Sequence, residues 1–392
     1  MPGMSRSELL ASVLADEAIF VETVRSLVEI ESPSHDRQAA DHLADALAAL
    51  LERDGWRVER DVRNEVGDVV IGRLEGDDPG DGTLILAHYD TVWPVGTLAE
   101  MPWSVDGDVA RGPGVLDMKA GIAAAVHAVR AASAAGSLRG PVTLLVSSDE
   151  ETGSLHSRAR IEAEALRHAR VLVVEPGRDD GAIKVGRKGV GDMTVRFVGR
   201  SAHAGLNPEQ GASALRELAR FLLAAEALAD ATKGTTVNVT VASGGSAGNV
   251  IAETATARLD LRFATTDEGR RVLDALRAYR PHDDRVRVEM AGGSNRPPME
   301  PTPGNEALLA EARTHADALG LALAEAVVGG GSDGNFTSAL GVPTLDGLGA
   351  VGGGPHARSE HVRVRETLRR TALLASLLMG SAPGETSLTT ES

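Results

Sequence analysis

The sequence predicts an α/β fold with a mostly parallel central sheet, into which a ferredoxin-like βαββαβ unit is inserted. Three observations carry that reading. Leu84 to Ala87, Val142 to Val146 and Val171 to Val174 are short, continuous apolar runs, the kind found where a parallel sheet is covered on both faces. The alanine-rich stretch Met118 to Ala132 reads as a helix between two of them, so strand and helix alternate. From Gly186 the alternation gives way to a different order and then resumes after Pro303.

Before the apolar runs, helical spacing covers about Glu8 to Ile30 and Arg37 to Arg53, followed by strand-like Val58 to Val62 and Val69 to Leu74. The inserted unit reads as a strand at Asp192 to Val198, a helix at Pro208 to Leu228, strands at Thr235 to Ala242 and Thr254 to Phe263, a helix at Asp267 to Tyr279 and a strand at Val286 to Met290. That order is βαββαβ, a self-contained arrangement. Glycine and proline gather at Gly186 to Gly191 and Gly292 to Pro303 and mark its limits, giving an inserted domain at 188–296 within a larger domain of 1–187 and 297–392. A helix at Glu306 to Leu319, strands at Leu321 to Val328 and Pro343 to Leu345, and a helix at Val364 to Leu378 complete the pattern. Ser381 to Ser392 reads as a disordered tail.

A formal net charge of -16 argues against nucleic acid or an anionic membrane as partner, because either would be repelled. With no cysteine, disulfides, thiolate metal sites and cysteine nucleophiles are excluded, so any metal must be held by nitrogen and oxygen. No apolar run approaches the roughly 18 residues of a membrane span, and Met1 to Ser7 lacks a signal-peptide core. The expected location is cytoplasmic.

Candidate chemistry gathers at strand ends, where open α/β sheets present their sites. His88 and Asp90 lie two apart in an extended segment, so the Asp90 carboxylate can orient the His88 ring. Asp117 opens the alanine-rich helix, where it can act as an N-cap and also bridge two cations. Glu150 and Glu151 end one buried strand and point in different directions, which allows one to ligate and the other to face a reacting water. Glu175 ends the next strand, and Gly352 to Pro355 give His356 a flexible approach. His35, His42, His127, His156, His168, His282, His315 and His361 lack comparable context. Gly329 to Asn335 lacks the ending of a phosphate loop, so nucleotide binding is discounted.

Together, His88-Tyr89-Asp90-Thr91-Val92, Gly114-Val115-Leu116-Asp117-Met118-Lys119 and Asp149-Glu150-Glu151-Thr152-Gly153 resemble, in order and spacing, the motifs of the zinc aminoacylase and carboxypeptidase family. That family includes glutamate carboxypeptidase, acetylornithine deacetylase and succinyl-diaminopimelate desuccinylase, and the resemblance runs from about Glu8 to Met379. It implies a zinc-peptidase-like catalytic domain with two Zn2+ per subunit, Co2+ or Mn2+ being possible substitutes. One ion would be held by His88, Asp117 and Glu175, the other by Asp117, Glu151 and His356, with Glu150 as general base and Asp90 in support.

The same resemblance implies that the inserted domain is a dimerisation and lid domain. Its Gly199 to Gly205 segment is similar to one whose histidine, here His203, reaches an active site across a homodimer and steadies an oxyanion. Asn249, Arg262 and Arg296 fall in segments similar to those that hold a substrate carboxylate, and an arginine fork suits that task. The implied substrate is a small peptide or N-acyl amino acid with a free carboxylate, closest to the glutamate carboxypeptidase branch, with an N-acyl amino acid deacylase as the alternative. Arg187-Lys188-Gly189 and Ser359 depart from that branch.

Overall fold

The computed structural model describes residues 4–76, 82–136 and 138–379; the expected tail at Ser381 to Ser392 lies outside them. The chain divides into two compact units, one comprising Met1–Val185, Pro301–Val327 and Ser332–Ser392, the other Gly186–Glu300 with Val328–Gly331.

The first unit opens with α1 (Arg6–Ala15), α2 (Glu17–Val28) and α3 (Arg37–Arg53). The single helix expected over Glu8 to Ile30 is thus two, because Asp16 leaves helical geometry and ends the first while preceding the second. There follow β1 (Arg57–Asp61), β2 (Val69–Leu74), β3 (Thr83–His88), α4 (Thr97–Glu100), β4 (Ser104–Asp106) and β5 (Val109–Arg111). After them come α5 (Ala120–Ala134), β6 (Val142–Ser147), α6 (Arg158–Ala165), β7 (Arg170–Val173) and β8 (Ile183–Arg187). β3 lies between β6 and β7 and is parallel to both, while β2 and β1 add antiparallel strands beyond β6.

Every residue of β3, β6 and β7 is buried, which explains the apolar runs, Thr143 being the one polar residue within them. Alternate side chains enter different cores. Ile85, Ala87, Leu144 and Val146 pack with the helical residues Ile122 and Val126, whereas Leu84, Leu86, Leu145 and Val173 pack with Ile161 and Ala165.

In the second unit, β9 (Gly189–Val198), α7 (Ala214–Glu226), β10 (Thr236–Gly244), β11 (Thr254–Phe263), α8 (Thr266–Arg277) and β12 (Arg287–Arg296) follow the βαββαβ order. The strands form one antiparallel sheet in the order β10-β11-β9-β12, the ferredoxin-like arrangement. The core between sheet and helices holds Phe197, Phe221, Leu259, Leu261 and Leu276.

Two expectations need correction here. The helix expected from Pro208 begins only at Ala214, because Gly211 is extended and the Ser213 hydroxyl caps the helix by accepting from the Arg216 amide. β12 runs on to Arg296 through the glycines that read as a boundary, since Gly292, at a φ of +102°, lies against the Asp192 carbonyl where a side chain would not fit.

The chain then returns through α9 (Pro303–Ala318), β13 (Glu325–Val328), α10 (Gly334–Ala339), β14 (Thr344–Leu345), β15 (Gly352–Gly353), β16 (His361–Arg363) and α11 (Val364–Leu378). β13 is shorter than the expected Leu321 to Val328, the first four residues running without strand pairing. β14 extends the central sheet in parallel beside β7, while β15, β16, β5 and β4 form a separate antiparallel sheet. α11 packs along α5 and α1. No helix among the described residues is long and apolar enough to cross a membrane.

Two glycines let backbone approach the end of β7. A methyl group on Gly121 of α5 would fall 2.1 Å from the Val174 carbonyl oxygen, and one on Gly349 would fall 2.0 Å from it. Gly121→Ala is expected to destabilise the protein by about 1–3 kcal/mol through overpacking, and to disturb Glu175 next to the displaced carbonyl. Thermal unfolding measured together with bound metal tests this, and a variant unchanged in both would contradict the close fit.

Candidate metal centre

Parallel pairing of β3 with β6 and β7 brings the ends of these three strands to one edge of the sheet. His88 is the last residue of β3, Glu150 and Glu151 lie in the single 3-10 turn after β6, and Glu175 follows β7 by two residues. Asp117 and His356 arrive on loops. Asp117 was expected as a helix N-cap, but it sits in a π-turn at Val115–Lys119 with φ −116° and ψ 90°, before α5 begins, and caps nothing. His356 occupies the left-handed region at φ +60° after Gly354.

Two triads result, His88 with Asp117 and Glu175, and Asp117 with Glu151 and His356. Asp117 belongs to both. Its Oδ1 lies 3.2 Å from His88 Nε2, and its Oδ2 lies 3.4 Å from His356 Nε2. His88 Nε2 is 3.5 Å from Glu175 Oε1, and His356 Nε2 is 3.1 Å from Glu151 Oε1. Zinc bonds of about 2.0–2.1 Å at tetrahedral angles space their donors by roughly 3.3 Å, so the observed separations fit a shared cation in each triad. The donor set, two imidazoles and three carboxylates, is the nitrogen and oxygen chemistry that a cysteine-free chain has to offer.

Orientation comes from the layer behind. His88 Nδ1 is 3.0 Å from the Asp90 backbone oxygen, an acceptor only, so that nitrogen carries a proton and turns Nε2 toward the cluster. The Asp90 carboxylate, expected to orient the ring, lies farther at 3.4 Å. It chiefly accepts the amides of Glu150 at 3.1 Å and Glu151 at 3.2 Å, and the Ser34 hydroxyl at 2.7 Å. One buried carboxylate therefore supports both glutamates.

Asp149 and Asp333 steady the same turn. Asp149 accepts from the His156 amide and the Ser157 hydroxyl. Asp333 accepts from the hydroxyls of Ser147 and Ser154, and the Ser332 hydroxyl donates to Asp346, which explains why the serine and aspartate of the glycine-rich 329–335 segment are buried.

Sequence reasoning missed Glu360. Its carboxylate, 1% exposed, accepts the amides of Gly114 at 3.0 Å, Leu116 at 2.9 Å and Asp117 at 3.1 Å, and the Trp93 indole N–H at 3.0 Å. It thus clamps the turn that presents Asp117 from a position four residues beyond His356. Only its spacing after His356 hints at this, since the partners lie more than 240 residues away.

The electrostatics follow from crowding acids around two imidazoles. Burial works against the charged form of His88, but hydrogen bonds to Asp117, Asp90 and Glu175 raise its pKa well above the ordinary histidine value. His356 is raised to about 10 by hydrogen bonds to Asp117 and Glu151. Burial pushes the Asp117 carboxyl up, yet the hydrogen bonds from His356 and His88 outweigh it and hold it well below the usual carboxylate range. Burial raises Glu151.

In the second unit, His203 is exposed, and its Nδ1 accepts the amides of Gly205 at 3.1 Å and Leu206 at 3.2 Å. Asn249 lies beside it, its carbonyl accepting from the Ala204 amide. Arg296 is buried at the end of β12. The fork of Arg262 is directed at Asp260 of its own strand, at 3.0 and 2.9 Å, because residues two apart share a sheet face. To meet a substrate carboxylate it would have to exchange that partner. Among the histidines set aside, His127, His168 and His315 bond the structural hydroxyls of Thr23, Thr143 and Ser376.

The pattern of the family described as Peptidase family M20/M25/M40 matches residues 84–380, a span that takes in all five residues of the two triads. This chain belongs to that family. It is 31% identical over 389 residues to carboxypeptidase G2 from Pseudomonas sp. (strain RS-16), covering 97% of this chain and 94% of that protein. It is 29% identical over 325 residues to succinyl-diaminopimelate desuccinylase from Phenylobacterium zucineum (strain HLK1), covering 75% of this chain and 82% of that one.

Among solved structures, aminopeptidase PepT from Bacillus cereus ATCC 10987 aligns with a TM-score of 0.78 at 21% identity, over 93% of this chain and 98% of that one. The M20 family metallo-carboxypeptidase Sso-CP2 from Sulfolobus solfataricus aligns with a TM-score of 0.73 at 17% identity, over 92% and 98%. These two likenesses speak for the fold. As a member of the M20 family, the chain is an enzyme of the metallopeptidase and amidohydrolase kind.

Two predictions follow from the geometry of this M20 site. Glu360→Ala should weaken metal binding by about 10–100-fold, as loss of an outer-shell partner generally does; competition with a chelator measures it, and unchanged affinity would refute the clamp. The raised histidines make metal loading pH-dependent. Their ion pairs contribute fully below the ordinary value of 6.5 and are lost as pH rises through about 10 for His356. Loading at pH 7.5 should therefore release protons from both imidazoles, seen as a calorimetric enthalpy that varies with buffer ionisation, and the share from His356 should fade as pH rises through about 10.

Proposed function

We propose that this enzyme hydrolyses the amide bond of a peptidyl or N-acyl amino acid carrying a free carboxylate, at a centre of two Zn2+ ions per subunit. The observation that carries this reading is the pair of Asp117 oxygens facing two different histidines, each with a further carboxylate, beside Glu150. Nitrogen and oxygen donors suit zinc, with Co2+ or Mn2+ as substitutes. The relationship to carboxypeptidase G2 along nearly the whole chain supports a carboxypeptidase-like substrate.

His88, Asp117 and Glu175 would hold one cation and Asp117, Glu151 and His356 the other, and the pair would supply electrophilic pull on the scissile carbonyl and a lowered pKa for the attacking water. Glu150 takes the proton of that water and returns it to the leaving amine, serving as base and then acid. Asp90 keeps Glu150 aligned with the ligand Glu151 through their two adjacent amides.

His203 donates to the developing oxyanion, in trans across a homodimer. Two features support this role. Its Nδ1 accepts two amide protons, so in the neutral ring the proton sits on Nε2, which is then a donor. The inserted unit also offers an interface, for β10 is an edge strand and Leu215, Leu223 and Val241 are 42%, 73% and 54% exposed around it. Asn249 and Arg296 are assigned to the substrate carboxylate.

The desuccinylase relationship favours a second reading, an N-acyl amino acid deacylase that differs in the acyl group removed. A hydrolysis screen of the zinc-loaded enzyme against acetyl, succinyl, folyl and dipeptidyl derivatives of several amino acids separates the two. Glu150→Gln should keep its bound metal while kcat falls by about 10²–10⁴-fold, the range of a lost general acid–base group. Near-normal turnover in that variant would remove Glu150 from the role, and inactivity of the wild type toward every amide would remove the proposal.

A further inference from the structure

Away from the carboxylate cluster, the first unit contains a cavity of about 410 Å3, bounded by Asp180–Gly181, the Gly320–Ala324 loop and the start of α11. That volume lies within the roughly 300–1,000 Å3 range of small-molecule sites. Three arginines, Arg363, Arg369 and Arg370, line it.

Glu366, which also lines the cavity, pairs with Arg369 at 2.7 Å and acts on Arg370 only from farther away. Arg370 is 7% exposed, and its guanidinium donates to the backbone carbonyls of Gly347 and Gly181. Burial pushes it down to about 10. Arg363 donates through Nη2 to the Asp179 carbonyl at 2.9 Å, and its Nε is buried with no hydrogen-bond partner among the described residues. Among those residues neither guanidinium has a carboxylate within 4.0 Å. The three arginines of the lining outnumber its two acids, Asp180 and Glu366, and the hydrogen bonds of Arg363 and Arg370 go to neutral carbonyls, which leaves positive charge unspent.

We propose that this cavity is a binding site for a small organic carboxylate of about the size of one amino acid. Its oxygens would pair with Arg363 through Nη1, which the bond from Nη2 to the Asp179 carbonyl leaves open, and its charge would offset that of Arg370. Nothing in the catalytic scheme uses these residues. The walls nonetheless continue into both ligand-bearing segments, since Asp180 lies five residues beyond Glu175, and Val351 and Arg363 flank the β15–β16 hairpin that carries His356. An occupant therefore braces the approaches to both triads without touching them.

The test uses the full chain freed of metal, so that a carboxylate cannot chelate a bound ion and the acidic cluster repels it. Succinate is titrated by calorimetry at constant ionic strength in chloride buffer. One saturable site per chain is expected, weakened at least tenfold in Arg363→Gln. Because that change also removes the bond to Asp179, a second variant, Ala322→Glu, places a like charge on an exposed position of the cavity wall and should weaken binding at least tenfold too. Succinate should also slow amide exchange in 176–183 and 351–363. Absence of saturable heat, or less than tenfold weakening in Ala322→Glu, would overturn the proposal.

Discussion

Carboxylates crowded at the end of a buried sheet must be neutralised or held by donors, and the structure meets that requirement in two layers. In the inner layer, Asp117, Glu151 and Glu175 face His88 and His356, an arrangement that favours protons on the imidazoles and has the donor chemistry to hold cations. In the outer layer, Asp90, Asp149, Asp333 and Glu360 are satisfied by backbone amides and hydroxyls instead. Each outer carboxylate fixes a segment that presents an inner one.

This division explains why the site tolerates being assembled from distant stretches of sequence. The sheet brings His88, Glu150, Glu151 and Glu175 to one edge, because three parallel strands end there, and Asp90 then holds the two glutamate amides. Asp117 and His356 have no strand to place them. The Glu360 carboxylate does that work for Asp117, holding three successive-turn amides and Trp93 at once, while the β15–β16 pairing sets the base of the loop that carries His356. Hydrogen bonds from charged carboxylates to amides are stronger than neutral ones, which suits them to irregular backbone.

Much of the fold was legible because its signals are local. The apolar runs of β3, β6 and β7 are buried on both faces, β2, β11, α3 and α11 fall where their spacing puts them, and the βαββαβ order survives in full. The misjudged places are those where one residue overrides periodicity. Asp16 splits a helix, Ser213 delays another, and Gly292 carries a strand through what looked like a boundary. The short β15 and β16, and α10 within a glycine-rich stretch, have too few residues to show a period.

For the site, the amino-acid sequence by itself determined the inventory: which residues have metal-binding chemistry, that sulfur is absent, and which strand ends carry acids. The tertiary structure decided their relations. That the two oxygens of Asp117 face different histidines and that Glu360 supports Asp117 depend on contacts across tens to hundreds of residues, and only the folded backbone shows that the Asp90 carbonyl rather than its carboxylate lies nearest the His88 ring. Residue type and spacing encode which donors exist and what local backbone they favour. Angles and distances between donors are fixed only when packing brings separate segments together, because a carboxylate can serve as ligand, cap or clamp according to which proton or cation it meets.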